Sequence, residues 1–330
     1  MSYNTIPWVE KHRPHKISNI IQHDTIKQIL NTIKETGNMP HLLLYGPPGT
    51  GKTSCIVALS MELFGPKIYN DRVLELNASD ERGINVVRNK IIRFAKISLG
   101  TKDVNYPCPD FKIIILDEAD AMTTEAQSAL RKVMESTTNI TRFVFICNYD
   151  YQILDSIKSR CSSFKFKEIM PDYCIKKLKE ISFEEKLSIS DEALNKISII
   201  CQGDIRRGIN ILQNLQYIKS DMIQQEDVNN ITSYIDEKVI NKIWNILFKS
   251  DINTIVEQTN NIINKGYPIF YIFDSILNKI EVSDISDKQK AQIIIYLSKC
   301  ENKILIGSNE SIQLISFFTY VNGLIKHNIE

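Results

Sequence analysis

The stretch Gly46-Pro47-Pro48-Gly49-Thr50-Gly51-Lys52-Thr53-Ser54 sets glycines, a lysine and a hydroxyl at the spacing GxxxxGK[ST]. Glycines let successive backbone N–H groups turn toward a polyphosphate, a lysine ammonium neutralises the β- and γ-phosphate charge, and a threonine hydroxyl is a Mg²⁺ ligand. The spacing predicts that Gly46 to Thr53 cradle the phosphates of a nucleotide, with Lys52 as the charge and Thr53 on the metal. A Gly/Pro-rich turn matching by chance has the same letters. The chemistry needs a strand before the loop and a helix after it, whose N-terminus adds its own positive end.

A second cluster lies at the end of the apolar run Ile113-Ile114-Ile115-Leu116, which stops at Asp117-Glu118. A carboxylate at the C-terminal end of a parallel strand reaches a metal beside such a loop, so Asp117 is expected on Mg²⁺ through water. Glu118 is then placed to orient and deprotonate an attacking water. Adjacent acids also suit a helix N-terminus. The string Asp117-Glu118-Ala119-Asp120 also spells a helicase signature, but that class needs a second domain of the same kind, and the second half of this chain reads as helical. Asn148 follows the run 143–146 and is positioned to touch the γ-phosphate or hold the lytic water; alone, it is equally a turn residue.

These residues require strands and helices in alternation, and the first half supplies them. The β-branched and apolar runs 42–45, 73–76, 113–116 and 143–146 read as buried parallel strands. Between them, 53–64, 84–95 and 124–135 carry helical periodicity, which argues for an α/β domain with a parallel sheet. Beyond 167 only helical spacing remains: Ile175, Leu178, Ile181 and Phe183 in one helix, then Ala193, Leu194, Ile197 and Ile200 in another capped by Ser190. The predicted division is an ATPase domain at 1–167, a small helical domain at 168–232 and an all-helical domain at 233–330. In the last, Ile293-Ile294-Ile295 and Phe317-Phe318 put apolar residues on more than one face, either as core or as a contact with other chains.

With 330 residues, 43% of them hydrophobic and 24% charged, the chain has the composition of a multi-domain globular protein. Lys plus Arg is 40 against 39 Asp plus Glu, so any polyanion must be met by a local patch. Arg82, Arg88, Lys90, Arg93, Lys96 and Lys102 make one, with no acid between Arg82 and Lys102; Arg82 and Arg88 are the candidates for phosphate, a solvated helix face being the other reading. Seven cysteines without a CxxC pair exclude the usual zinc patterns and fit reduced thiols in cytosol or nucleus. Neither a signal-peptide core nor a transmembrane run is present, so no membrane is expected as a partner.

Taken together, the motifs resemble the small subunits of replication factor C, the AAA+ clamp loader, over the whole chain. Pro7-Trp-Val-Glu-Lys-His-Arg-Pro14 is similar to the family's PWVEKYRP segment, with His12 where the family has tyrosine. Leu76-Asn-Ala-Ser-Asp-Glu-Arg-Gly83, Leu116-Asp-Glu-Ala-Asp-Ala-Met122, Ser159-Arg-Cys161 and Gly203-Asp-Ile-Arg-Arg207 resemble its further motifs. Gly307-Ser-Asn-Glu-Ser-Ile-Gln313 resembles the subunit called five in human and three in budding yeast.

The resemblance implies an AAA+ P-loop domain, a helical lid and a helical collar. It implies that Val9, Arg13 and Ile21 line the adenine and ribose side, that Asn148 is sensor 1 and Arg206 sensor 2, and that Arg160 is a finger acting in trans on a neighbour's ATP. It makes Arg82 and Arg88 trackers of the DNA backbone. It further implies ATP and Mg²⁺ as cofactors, a hetero-pentamer with other replication factor C subunits, a sliding clamp and primer–template DNA as partners, and a nuclear location. Two alternatives stay open at this level: a nucleotide-binding scaffold without turnover, and another AAA+ DNA machine of branch-migration or origin-loading type.

Overall fold

The computed structural model of the chain describes residues 6–78, 84–97, 99–100, 102–218, 222–232, 234–235, 237–249 and 251–326. They divide into two compact units, Met1–Met222 and Ile223–Glu330.

In the first unit, strands β1 (His41–Tyr45), β2 (Val73–Asn77), β3 (Lys112–Asp117), β4 (Thr141–Cys147) and β5 (Cys161–Lys165) form one sheet in the order β2-β3-β4-β1-β5. Every pairing is parallel, and the register runs Leu42↔Val144, Leu43↔Ser163 and Ile115↔Val144. The helices that accompany it are α1 (Trp8–Lys11), α2 (Asp24–Thr36), α3 (Lys52–Arg72), α4 (Ile84–Lys96), α5 (Thr124–Thr137) and α6 (Asp155–Lys158). Because side chains alternate along a strand, an uninterrupted apolar run needs cover on both faces. Leu42, Leu44, Ile113, Ile115, Val144 and Ile146 pack with residues of α2 and α3, whereas Leu43, Ile114, Leu116, Phe143 and Phe145 pack with residues of α4 and α5. Each fully buried Leu or Ile contributes roughly 1.5–3 kcal/mol.

Helix α3 follows its expected course to Phe64 and then kinks at Gly65 (φ 69°), with Pro66 next, before continuing to Arg72. A Cβ at Gly65 would lie 2.3 Å from the Tyr106 ring, so the kink is where the 102–110 segment packs; Cys108 N–H also donates to Leu63 O at 3.0 Å. Lys112, at the start of β3, is fully buried and donates to Phe94 O (2.8 Å) and Ile97 O (2.5 Å), which fixes the C-terminal end of α4 to the sheet.

Helices α7 (Pro171–Glu184), α8 (Asp191–Cys201) and α9 (Ile205–Leu215) complete this unit. Ser190 caps α8 as its sequence predicts, accepting from Ala193 N–H at 3.2 Å. In α7 the buried stripe is Cys174, Leu178 and Ile181, while Phe183 is 86% exposed, contrary to its expected place among the core residues. Two positions beyond Ile181 on a 100° helix is the opposite face.

The second unit contains α10 (Gln225–Thr232), α11 (Glu237–Lys249), α12 (Ile252–Asn264), α13 (Ile269–Val282), α14 (Asp287–Leu305) and α15 (Glu310–Lys326). It takes in α10, which the sequence pattern groups with the preceding helices. Leu314, Phe317, Phe318 and Val321 of α15 are buried in a core shared with α11, α12, α13 and α14, so its two apolar faces are both internal. On α14, Ile293 and Leu297 are buried but Ile295 is 57% and Leu305 75% exposed. No helix among the described residues is long and apolar enough to cross a membrane.

Candidate active site

The sheet order sets β1, β4 and β3 side by side, so the residues after their C-terminal ends meet: Gly46 to Thr53 after β1, Asn148 after β4 and Glu118 after β3. Gly49 (φ 70°) and Gly51 (φ 90°) take left-handed conformations that turn the loop, and α3 starts at Lys52. The strand–loop–helix context that the phosphate chemistry requires is therefore present.

Lys52 is 7% exposed, and its Nζ donates to Gly46 O (2.7 Å), Pro47 O (2.8 Å) and Asn148 Oδ1 (2.9 Å). Burial pulls its pKa below the ordinary lysine value, while the Asp117 charge works against that shift. Thr53 Oγ1 donates to Asp117 Oδ2 at 2.8 Å. A hydroxyl and a carboxylate oxygen this close form a hard-oxygen pair of the kind Mg²⁺ takes together with phosphate oxygens and waters. Glu118 stands in the left-handed region (φ 52°), its N–H donating to Asp117 Oδ1 at 2.9 Å. One cavity is lined by Pro48 to Ser54, Asp117, Glu118, Asn148 and Arg206, which brings together the expected phosphate, metal, water and sensor residues.

A second, adjoining cavity shares Gly49, Gly51, Ser54 and Arg206 with the first, and Val9, Arg13 and Ile21 all line it. His12 lines it too, and its ring nitrogens lie 3.2 Å from Glu184 Oε2 and 2.5 Å from Glu185 Oε1. Burial raises the Glu185 pKa, but hydrogen bonds from Lys11 and His12 outweigh it and leave the carboxyl below its ordinary range. Trp8 N–H donates to Gln213 Oε1 at 3.1 Å, so α1 is tied to both α9 and the end of α7. His12 thus anchors the segment that carries Val9 and Arg13 to the end of α7.

Two further residues position the site. Asp120 accepts from Asn148 N–H (2.9 Å) and Tyr149 N–H (3.2 Å), holding the Asn148 backbone in place. Asp204 caps α9 through Arg206 N–H (2.9 Å) and Arg207 N–H (3.3 Å), and a Cβ at Gly49 would lie 1.7 Å from its Oδ1. Asp204 therefore seats the N-terminus of α9, with Arg206, directly on the phosphate loop. An acid before a helix is a recognisable cap in sequence; its contact with Gly49 is not.

Arg160 lies outside both cavities. Its guanidinium donates to Glu135 Oε1 (2.7 Å) and Ser156 O (2.7 Å). Arg82 is outside the described residues; Arg88 belongs to α4, but its side chain is outside the description.

Residues 42–170 match the family described as ATPase family associated with various cellular activities (AAA), and residues 235–319 match the Replication factor C C-terminal domain. Replication factor C subunit 4 of Arabidopsis thaliana is 42% identical over 94% of this chain and 92% of its own length. Human replication factor C subunit 4 is 37% identical, covering 98% and 90%, and human subunit 5 is 36% identical, covering 94% and 90%. Among solved structures, the Thermotoga maritima RuvB Holliday junction branch migration motor aligns with a TM-score of 0.53 over 73% of this chain and 80% of that one. At 16% identity that likeness concerns the fold alone.

Proposed function

The chain belongs to the replication factor C small-subunit family, and from that premise we propose that it is an ATP-hydrolysing subunit of a hetero-pentameric clamp loader that opens a sliding clamp and places it on primer–template DNA. The observation that carries the reading is the meeting of Lys52, Thr53, Asp117, Glu118, Asn148 and Arg206 around one cavity in a chain of this family.

In this reading Lys52 exchanges its loop carbonyl partners for phosphate oxygens, and Asn148, which it now contacts, touches the γ-phosphate or holds the lytic water. Thr53 and Asp117 would hold Mg²⁺, which would supply charge neutralisation at the phosphates. Glu118 takes a proton from the attacking water. Val9, Arg13 and Ile21 enclose the nucleoside, and Arg206 reaches the γ-phosphate from α9. Arg160 is presented to the neighbouring subunit's ATP, and Arg82 and Arg88 follow the DNA backbone. Residues 1–167, 168–232 and 233–330 act as ATPase core, lid and collar, and the complex works in the nucleus. The reported relatives lean towards a different place, subunit 4 of Arabidopsis thaliana and of human ahead of human subunit 5, so assignment to the place of the subunit called five rests on Gly307 to Gln313 alone.

Reconstitution with the other subunits tests this. The complex should hydrolyse ATP and load clamps, and Lys52→Ala in this chain should lower the ATP bound per complex by one site and slow loading. A complex that forms without this chain and loads clamps at full rate would overturn the proposal.

A further inference from the structure

Two consecutive non-glycine residues, Gln22 (φ 53°) and His23 (φ 58°), occupy the left-handed region just before α2. Such strain persists only where surrounding contacts impose it, and it concentrates at functional positions. Here both side chains are engaged. Gln22 Oε1 accepts from Met170 N–H at 2.8 Å, and Gln22 Nε2 donates to Glu168 O at 3.2 Å. One side-chain amide thus grips, in both directions, the backbone that connects β5 to α7. A cleft of about 420 Å³ lies beside this grip, lined by Gln22, Lys27, Tyr173 and Lys177 among others.

His23 faces the other way. Its ring meets the Phe166 ring edge-on at 4.8 Å. Phe166 O in turn presses on Gly46, where a Cβ would come within 2.2 Å. The segment gripped by Gln22 leads back to the site as well: a Cβ at Gly203 would lie 3.0 Å from Glu168 Cβ and 3.2 Å from Ile169 N. Gly203 precedes Asp204, which seats α9 and Arg206 on Gly49.

We propose that the Gln22–His23 turn is a hinge pin, in which Gln22 is a positioning residue that holds the 168–170 connection and so places Arg206 over the phosphate loop. This rests on the nucleotide-site reading above. Gln22 touches neither phosphate nor base; it acts through Glu168, Met170 and Gly203. The strain at Gln22 is offset by the two hydrogen bonds it makes possible.

The test separates positioning from plain structural support, because the strain gives the two roles opposite signs. Gln22→Gly removes the amide but relieves the left-handed backbone. In the full-length chain it should leave the thermal midpoint unchanged or higher, while ATP binding weakens roughly 10-fold, the two lost hydrogen bonds lowering the population with Arg206 in place. Arg206→Ala should weaken ATP binding as well, and the double variant should be little weaker than Arg206→Ala alone, since Gln22 acts through that arginine. Gln22→Glu, which keeps the acceptor for Met170 N–H, should recover part of the affinity. Losses that add fully in the double variant, or a loss of affinity matched by a fall in the midpoint, would overturn the hinge pin. So would unchanged ATP affinity in Gln22→Gly while Lys52→Ala abolishes binding, a result that leaves the nucleotide site standing. Full ATP binding by Lys52→Ala would overturn the site assignment and the hinge pin with it.

Discussion

Arg160 immediately precedes β5 and Gly46 immediately follows β1, and the parallel register from His41↔Cys161 to Tyr45↔Lys165 puts the two residues at opposite ends of one ladder. A strand of this length spans roughly 15 Å. Arg160 therefore stands far from this chain's own phosphate loop, its guanidinium paired with Glu135 at 2.7 Å.

The consequence for Arg160→Ala is unchanged ATP affinity in the isolated chain, and slow hydrolysis with or without the substitution. In the reconstituted complex one site should lose roughly 10³-fold or more in single-turnover rate, the range known for such fingers. A lone wild-type chain that hydrolyses ATP fast and is crippled by Arg160→Ala would show that the arginine acts in cis.

At the phosphate loop, Lys52→Ala should weaken ATP binding by roughly 100-fold or more, since charge-assisted hydrogen bonds contribute about 1.5–3 kcal/mol each. Asn148→Ala should leave affinity nearly intact and slow hydrolysis in the complex by roughly 100-fold, because a positioned polar group acts mainly on the transition state. Equilibrium titration beside single-turnover kinetics separates the two. Equal effects of both variants on affinity would contradict this division of roles between Lys52 and Asn148.

His41 supplies a pH-dependent contribution to stability away from the site. Its Nδ1 accepts from Phe143 N–H at 3.0 Å, and burial, aided by the Arg142 charge, pulls its pKa from 6.5 down to about 4. The unfolded chain therefore takes up this proton first as the pH falls, so the contribution is complete above pH 6.5 and lost between 6.5 and about 4. Allowing for partial solvent exposure, the loss is on the order of 1–2 kcal/mol. His41→Gln keeps an acceptor for Phe143 and does not titrate. Urea midpoints at pH 7 and pH 5 should fall less in the variant than in wild type, and parallel curves would exclude the assignment.

On α14, Ile295 and Leu305 are exposed, although Ile293 and Leu297, two positions either side of Ile295, are buried. If this face meets other subunits, Ile295→Asp with Leu305→Asp should leave the midpoint of the isolated chain within about 0.5 kcal/mol, the usual range for surface changes. Recovery of the other subunits with the tagged variant should drop severalfold. Undiminished recovery would place the contact on another surface.

The phosphate loop, the Asp117-Glu118 pair, the alternation of strands and helices and the Ser190 cap were all legible in the sequence because each depends on spacing within a short stretch of chain. Glycine at a left-handed position, a hydroxyl before a helix and an unbroken apolar run carry their physical meaning locally. What only the tertiary structure decided is which residues distant in sequence become neighbours. An apolar run such as 113–116 announces burial on both faces but not that β3 lies between β2 and β4. That order brings Asn148 to Lys52 and sends Arg160 to the far end of the sheet. The same holds for Asp204 against Gly49, for the amide of Gln22 on Met170, and for α15, whose two apolar faces suit core and partners equally until its neighbouring helices cover both. Local propensity is set by a residue and its near neighbours, whereas strand order and helix burial follow from how whole apolar faces pack against one another, and that competition is resolved only in three dimensions.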